Sequence, residues 1–387
     1  MKRRTFVTLP ALAAATSRFP SPAAAAAGFE GPSVVEGNLP VFAEQLKAEL
    51  NFPLAYRDGD FRAWKRRARA KVEELLRQPE DRSPFHVEVI DEQARDGYRQ
   101  RQVLFNVTAH SRVRATMLVP AGPGPFPAAL LLHDHGSRFD IGKEKLIEPW
   151  YDETRRASAQ TWADRYFSGR FLGNQLVARG YAVLAVDALG WGDRGGLVYE
   201  GQQALAANFF NLGSSLAGLV AREDVRAAAM LATRPEIDGR RIAAVGFSMG
   251  GFRAWQVAAL SDHIAATVSA CWMTGLKEMM VPGNNTLRGQ SAYYMLHPGL
   301  YRYLDIPDVA SLAAPRPMLL CDGETDPLFT AAGVAAAYGK MRAVWAGRRA
   351  ADRLSTKVWP GLGHVFPAEM QEEAFAWLDR SVNVHMH

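Results

Sequence analysis

Ile242-Ala243-Ala244-Val245-Gly246-Phe247-Ser248-Met249-Gly250-Gly251-Phe252 is the stretch that decides the architecture. A short apolar, strand-like run enters Gly246-Phe247-Ser248-Met249-Gly250-Gly251, and a helical pattern from Gly250 to Leu260 leaves it. A G-x-S-x-G motif alone is common. Between a strand and a helix it forms a sharp turn that holds a serine hydroxyl out at the sheet edge. Its glycines have no Cβ to strike the neighbouring backbone. Ser248 is therefore the candidate nucleophile.

A serine hydroxyl attacks only once a base takes its proton, so a histidine must stand nearby. Of the nine histidines, His385 and His387 lie in the tail. His86, His110, His263 and His297 lack a suitable strand end. His364, in Pro360-Gly361-Leu362-Gly363-His364, directly follows the last strand-like run and precedes the last helical one. The imidazole in turn needs a carboxylate to fix its tautomer. Leu320-Cys321-Asp322-Gly323-Glu324-Thr325-Asp326-Pro327 offers three acids after the penultimate strand. Asp326 is best placed to turn back toward His364, while Asp322 reads as a turn cap and Glu324 as solvent-facing. The chain order Ser248, Asp326, His364 is one of the known orders of such triads.

A tetrahedral oxyanion requires two N–H donors. Met249, just after the nucleophile, supplies one. The loop His133-Asp134-His135-Gly136-Ser137, after the strand Ala128 to Leu132, supplies the other, with Ser137 preferred and Gly136 second. The pair His133 and His135 invites a metal reading, yet no third ligand has sensible spacing. The chemistry calls for no metal and no cofactor. Asp187, in Val186-Asp187-Ala188-Leu189-Gly190, reads as a turn-forming acid at a strand end. Trp191, Trp272, Tyr293 and Tyr294 fall in long insertions, where they line a substrate site or pack the insertions themselves.

Working outward, a helix is expected from about Phe61 to Gln78, capped by Asp60, with Phe61, Trp64, Ala68, Val72 and Leu75 on its apolar face. Lys65-Arg66-Arg67 then lies on the solvated face. His86 to Ile90, Gln102 to Thr108 and Val113 to Val119 read as antiparallel strands at one sheet edge. Beyond them, apolar runs at Ala128 to Leu132, Ala182 to Val186, Ile242 to Val245, Ala265 to Val268, Pro317 to Leu320 and Thr356 to Trp359 predict a parallel sheet covered on both faces. Ser215 to Ala232, Gly250 to Leu260 and Pro367 to Leu378 read as helices. Ser137 to Arg170, Trp191 to Leu212 and Trp272 to Ala313 are longer than connectors require. Each follows a strand's carboxyl end, where open parallel sheets bind ligands.

The 387 residues are 48% apolar and 22% charged, ordinary for a folded globular chain. Residues 1–27 are excluded from the fold. Met1-Lys2-Arg3-Arg4 is a charged start, Phe6 to Thr16 a short apolar core, and Ser21 to Ala27 a small-residue cleavage region. Arg3-Arg4-Thr5-Phe6-Val7 resembles a twin-arginine export signal, with an ordinary secretory signal as the alternative. The mature protein is expected in the periplasm or outside the cell. Removing the leader's four positive charges takes the formal charge from +5 to +1, so the basic excess does not point to nucleic acid. No apolar run after the leader is long enough to span a bilayer. Cys271 and Cys321 end apolar runs and read as buried free thiols.

With these pieces in view, the chain resembles the α/β-hydrolases of the bacterial acetyl xylan esterase and dienelactone-hydrolase-like group. The resemblance rests on Leu132-His133-Asp134-His135-Gly136, Phe139-Asp140-Ile141-Gly142-Lys143-Glu144-Lys145, Gly246 to Gly251, Asp322 to Phe329 and Gly363-His364. It implies the α/β-hydrolase fold: a mostly parallel central sheet flanked by helices, with insertions at the strand carboxyl ends. The resemblance covers most of the chain from about Phe61 onward, and residues 28–387 are expected to form one such domain with a helical N-terminal extension at about 39–80. The implied activity is ester hydrolysis, on a small-molecule or carbohydrate ester. Two departures stand out: dienelactone hydrolases use cysteine where this chain has Ser248, and studied acetyl xylan esterases carry glutamine at the position of Met249. A peptidase of the same fold and a non-catalytic binding protein on this scaffold are the alternatives. Oligomeric state is left open.

Overall fold

A computed structural model describes residues 33–36, 39–57, 59–284 and 290–383. The leader expected at 1–27, and His385 and His387, lie outside the described residues. Nine strands form one sheet: β1 (Glu88–Arg95), β2 (Tyr98–Thr108), β3 (Ser111–Pro120), β4 (Phe126–Leu132), β5 (Ala182–Val186), β6 (Ile237–Phe247), β7 (Ile264–Ala270), β8 (Met318–Gly323) and β9 (Leu354–Trp359). Their order across the sheet is β9-β8-β7-β6-β4-β5-β3-β2-β1. The six strands from β4 onward pair in parallel, and β1 to β3 form the antiparallel edge.

Strand alternation explains why both faces are covered. In β4, Leu130 and Leu132 pack into one apolar cluster, while Ala129 and Leu131 pack into the other. The first cluster is closed by α1 (Phe61–Leu75), and the second by α2 (Glu153–Tyr166) and α3 (Leu172–Ala178). A largely exposed helix, α4 (Tyr199–Asn211), leads into α5 (Leu216–Ala232). The first face also takes α5, α6 (Met249–Leu260) and α7 (Ala331–Gly347), and the second takes α8 (Ala368–Asn383). In α1 the expected five residues are buried, and Asp60 Oδ1 accepts from the Ala63 N–H at 3.0 Å. Arg66 and Arg67 are exposed as expected, but Lys65 is half-buried and reaches the Ala314 carbonyl.

Three expectations need correction. β1 starts later and runs further than His86 to Ile90, because its pairing with β2, and not its polar, largely exposed sequence, sets its extent. β8 continues through Asp322 and Gly323, which pair with Val358 and Trp359. Asp322 is thus a buried strand residue and not a turn cap. Asp187 is likewise more than a turn acid, being a buried counter-ion to Lys143.

The long insertions carry α2, α4 and two short helices, Leu276–Met279 and Ile306–Ala310. Cys271 and Cys321 are buried and free. Among the described residues no single helix is long and apolar enough to cross a membrane.

Candidate active site

Strands β4 and β6 are neighbours, while β5 lies on the far side of β4. The loops leaving β4 and β6 therefore meet where the strand order reverses, the place at which open sheets bind ligands. Ser248 sits at the end of β6 with φ 57° and ψ −127°, a conformation that non-glycine residues rarely hold. The turn is kept by its surroundings. Ser248 N–H donates to the Ala270 carbonyl at 2.8 Å. A Cβ on Gly246 would stand 2.1 Å from the Gly250 carbonyl oxygen, and one on Gly250 would stand 1.9 Å from that of Leu132. Only glycine fits so close an approach of elbow to β4. Met249 opens α6, so its N–H has no carbonyl within the helix to bond.

The structure brings the three expected side chains into one chain of hydrogen bonds. Ser248 Oγ lies 2.8 Å from His364 Nε2, and His364 Nδ1 lies 2.6 Å from Asp326 Oδ2. A carboxylate only accepts, so the ring proton sits on Nδ1 and leaves Nε2 to accept from the serine hydroxyl. Asp326 is buried, and its other oxygen accepts from the Leu328 N–H at 2.9 Å. The loops after β8 and β9 are tied together: Glu324 N–H bonds the Trp359 carbonyl and Thr325 N–H bonds that of Leu362, both at 2.9 Å. Glu324 is exposed as expected, though its carboxylate accepts from the Gly361 N–H. The Phe247 ring packs on the His364 imidazole, centroids 4.8 Å apart.

Asp322 points elsewhere. Its Oδ2 accepts from Tyr338 Oη at 2.5 Å, and burial pushes its pKa up to about 7. Cys271 Sγ approaches the Val365 carbonyl, and burial holds the thiol well above its usual pKa. Cys271, Asp326 and His364 present ligand-type atoms within 4.8 Å of one another, but there the acid and the imidazole bond each other. In the second such cluster, Glu144, Asp187 and Asp193, the Lys143 ammonium occupies the centre at 3.0, 2.8 and 2.9 Å. Burial alone would depress Lys143, yet Asp187 and Glu144 hold it well above the usual lysine range.

The loop after β4 is largely buried. His133 bonds the Asp134 carbonyl through Nδ1 and accepts from the Ala188 N–H through Nε2, so neither nitrogen is left for a metal. His135 Nε2 meets Gln202 Oε1 at 2.9 Å, and its ring stacks on Tyr199. Burial lowers the His135 pKa to about 4, which keeps this imidazole neutral. Gly136 is half-buried and Ser137 exposed at the mouth of this loop. Trp191, Trp272 and Tyr294 are core residues of the insertions, while Tyr293 is partly buried against the same core. Sequence reasoning missed Lys145, Trp162 and Gln202, which hold this loop; only the density of charge in Lys143-Glu144-Lys145 hinted at it.

Comparisons with known proteins bear on the family and the fold. The chain is 30% identical over 313 residues, 81% of its length and 98% of its relative's, to the Bacillus subtilis (strain 168) protein named "Putative hydrolase YtaP". A structure from Bacteroides fragilis NCTC 9343, described as "a putative acetyl xylan esterase", matches with a TM-score of 0.66 at 22% identity, covering 83% of this chain and 82% of that one. The glucuronoyl esterase from Solibacter usitatus matches with a TM-score of 0.60 at 14% identity, covering 90% and 96%. At these identities the two structures show a shared α/β-hydrolase fold. The model of the Abhydrolase family matches residues 34–343, well over half of the chain, and the protein belongs to that family.

Proposed function

We propose that this protein is a serine hydrolase of carboxylic esters, acting on acylated or otherwise esterified carbohydrates. The observation that carries the proposal is His364, bonded on one side to Ser248 Oγ and on the other to Asp326. Ser248 Oγ attacks the ester carbonyl carbon as its proton passes to His364 Nε2. The displaced carbonyl pair becomes an oxyanion, held by the Met249 N–H and by that of Ser137 or Gly136. Collapse expels the alcohol oxygen, which takes the proton from His364, and leaves an acyl group on Ser248. Water, deprotonated by His364, then releases the acid and restores the serine. Asp326 fixes the imidazole tautomer and stabilises the imidazolium in both halves.

The carbohydrate part of the reading is supported by the names of the fold neighbours, acetyl xylan and glucuronoyl esterases. The same reading takes residues 1–27 as an export leader, probed by whether the mature chain accumulates outside the cytoplasm. It takes residues 28–387 as one hydrolase domain with a helical N-terminal extension.

A fluorophosphonate probe tests the nucleophile: wild-type protein is labelled and Ser248→Ala is not, and an unlabelled wild type rejects the proposal. Acetylated xylo-oligosaccharides, methyl glucuronates, p-nitrophenyl acetate and a peptide anilide, assayed side by side, separate a sugar esterase from a general esterase and from a peptidase.

A further inference from the structure

Lys145 is a buried ammonium for which the proposed chemistry has no use. Its side chain is fully enclosed. Nζ donates to the His135 carbonyl at 2.7 Å and lies 3.3 Å from the Asp134 carbonyl and 3.4 Å from Asp134 Oδ1. It also lies 4.8 Å from the ring centroid of Trp162 and 4.7 Å from that of Trp191. Trp162 Nε1 in turn donates to Asp134 Oδ2 at 3.1 Å. Burial holds the ammonium below the usual lysine range. Enclosing a charge is costly, and a core made of apolar residues would often be as stable. The positions of its partners suggest why it is there.

Two of those partners are main-chain carbonyls of the loop after β4. In a trans peptide the carbonyl and the N–H point in opposite directions. A grip on the His135 carbonyl therefore also fixes the direction of the Gly136 N–H, one of the two candidate oxyanion donors in the loop. The indole that Lys145 overlies presses on Gly136 as well. Gly136 has φ +54°, and a Cβ there would lie 2.2 Å from Trp162 Cζ2. Lys145, Trp162 and Gly136 are thus one packed unit. Gln202 also anchors this loop, accepting from His135 and donating to the Leu197 carbonyl at 2.9 Å.

We propose that Lys145 is a positioning residue for the oxyanion hole, setting the His135–Gly136 peptide plane before substrate arrives. The inference rests on the ester-hydrolase reading above. A hole that is fixed in advance stabilises charge that develops only in the transition state. Loss of the grip therefore lowers kcat and leaves substrate binding nearly intact.

The test uses Lys145→Met, which keeps the stem and removes the donors, with active sites counted by fluorophosphonate titration so that kcat refers to folded enzyme only. The expected result is a fall in kcat of about 10²-fold, within the range known for loss of one oxyanion donor, with KM changed less than about threefold. A trifluoromethyl ketone, which forms a tetrahedral adduct on Ser248, should lose affinity by a similar factor. The acid limb of the kcat/KM profile should not move, because His364 and Asp326 are untouched. As a second variant, Lys145→Gln retains an N–H donor and should recover part of the lost kcat. Wild-type kcat per titrated site in Lys145→Met, or equal losses in kcat and in substrate affinity, overturns the inference. A wild type that neither labels nor cleaves esters removes the ester-hydrolase reading itself, and the inference with it.

Discussion

Arg253 grips Asp224 with two parallel hydrogen bonds, Nε to Oδ2 at 2.9 Å and Nη2 to Oδ1 at 2.7 Å, with both side chains buried. The pair joins α6, which carries the elbow, to α5. Arg253 Nη1 also reaches the His133 carbonyl at 3.4 Å, so the same guanidinium touches the start of the loop after β4. Burial raises the Asp224 pKa above the usual carboxylate range, and Arg253 opposes only part of that. Removing one partner strands the other charge, at a cost of about 3–5 kcal/mol. Arg253→Leu and Asp224→Leu should each lose that much in urea unfolding. The double variant should recover most of it, and equal, additive losses would contradict the pairing.

The two acids after β8 should separate sharply in kinetics. Asp326→Asn leaves the geometry but misdirects the imidazole tautomer, so kcat on a p-nitrophenyl ester should fall about 10³- to 10⁴-fold. Asp322 bonds Tyr338 and not His364, so Asp322→Asn should stay within about tenfold of wild type. The reverse ranking would move the acid's role from Asp326 to Asp322.

Asp322 predicts a pH dependence of stability instead. Burial raises its pKa from 3.8 to about 7, so between those values the folded chain keeps a proton that the unfolded chain has released. Stability therefore falls as pH rises through that window, by on the order of a few kcal/mol, and levels off above it. Asp322→Asn removes this contribution. The difference in unfolding free energy between variant and wild type, measured at pH 5 and pH 8, should shift in the variant's favour at the higher pH. A difference that does not change with pH contradicts the assignment.

Gly250 meets main chain, not a flexible side chain, at 1.9 Å from its would-be Cβ. Gly250→Ala should therefore either fail to fold or lose more than about 3 kcal/mol, with elbow and β4 forced apart. Gly347, whose added Cβ meets nothing within 4 Å, is the control: Gly347→Ala should leave activity unchanged. Thermal unfolding and the fluorophosphonate assay read both.

The parallel half of the sheet was legible because β4 to β8 carry near-continuous apolar runs and its turns carry glycine. Ser248 and Asp326 could be chosen because each follows such a strand, and His364 because it follows the short last run before the last helix; the structure brings these three side chains together. Helix α7 went unread despite its length: alanines and Gly333 and Gly339 give it little contrast between faces. β1 is an exposed edge strand with almost no apolar pattern, so only its partner defines it. The buried charges were illegible for a different reason. Lys143, Lys145, Arg253 and Asp322 look like surface residues, and what encloses them comes from distant parts of the chain: Asp187 and Asp193, two tryptophans, Asp224, and Tyr338. Spacing along the chain cannot report such partners.

His364 follows β9, the last strand of the sheet, and among the described residues only α8 comes after it. Ser248 is made more than a hundred residues earlier, in a strand of the same sheet. On the proposed mechanism Ser248 has no base until the final strand docks, so a chain clipped before β9 should be silent toward esters.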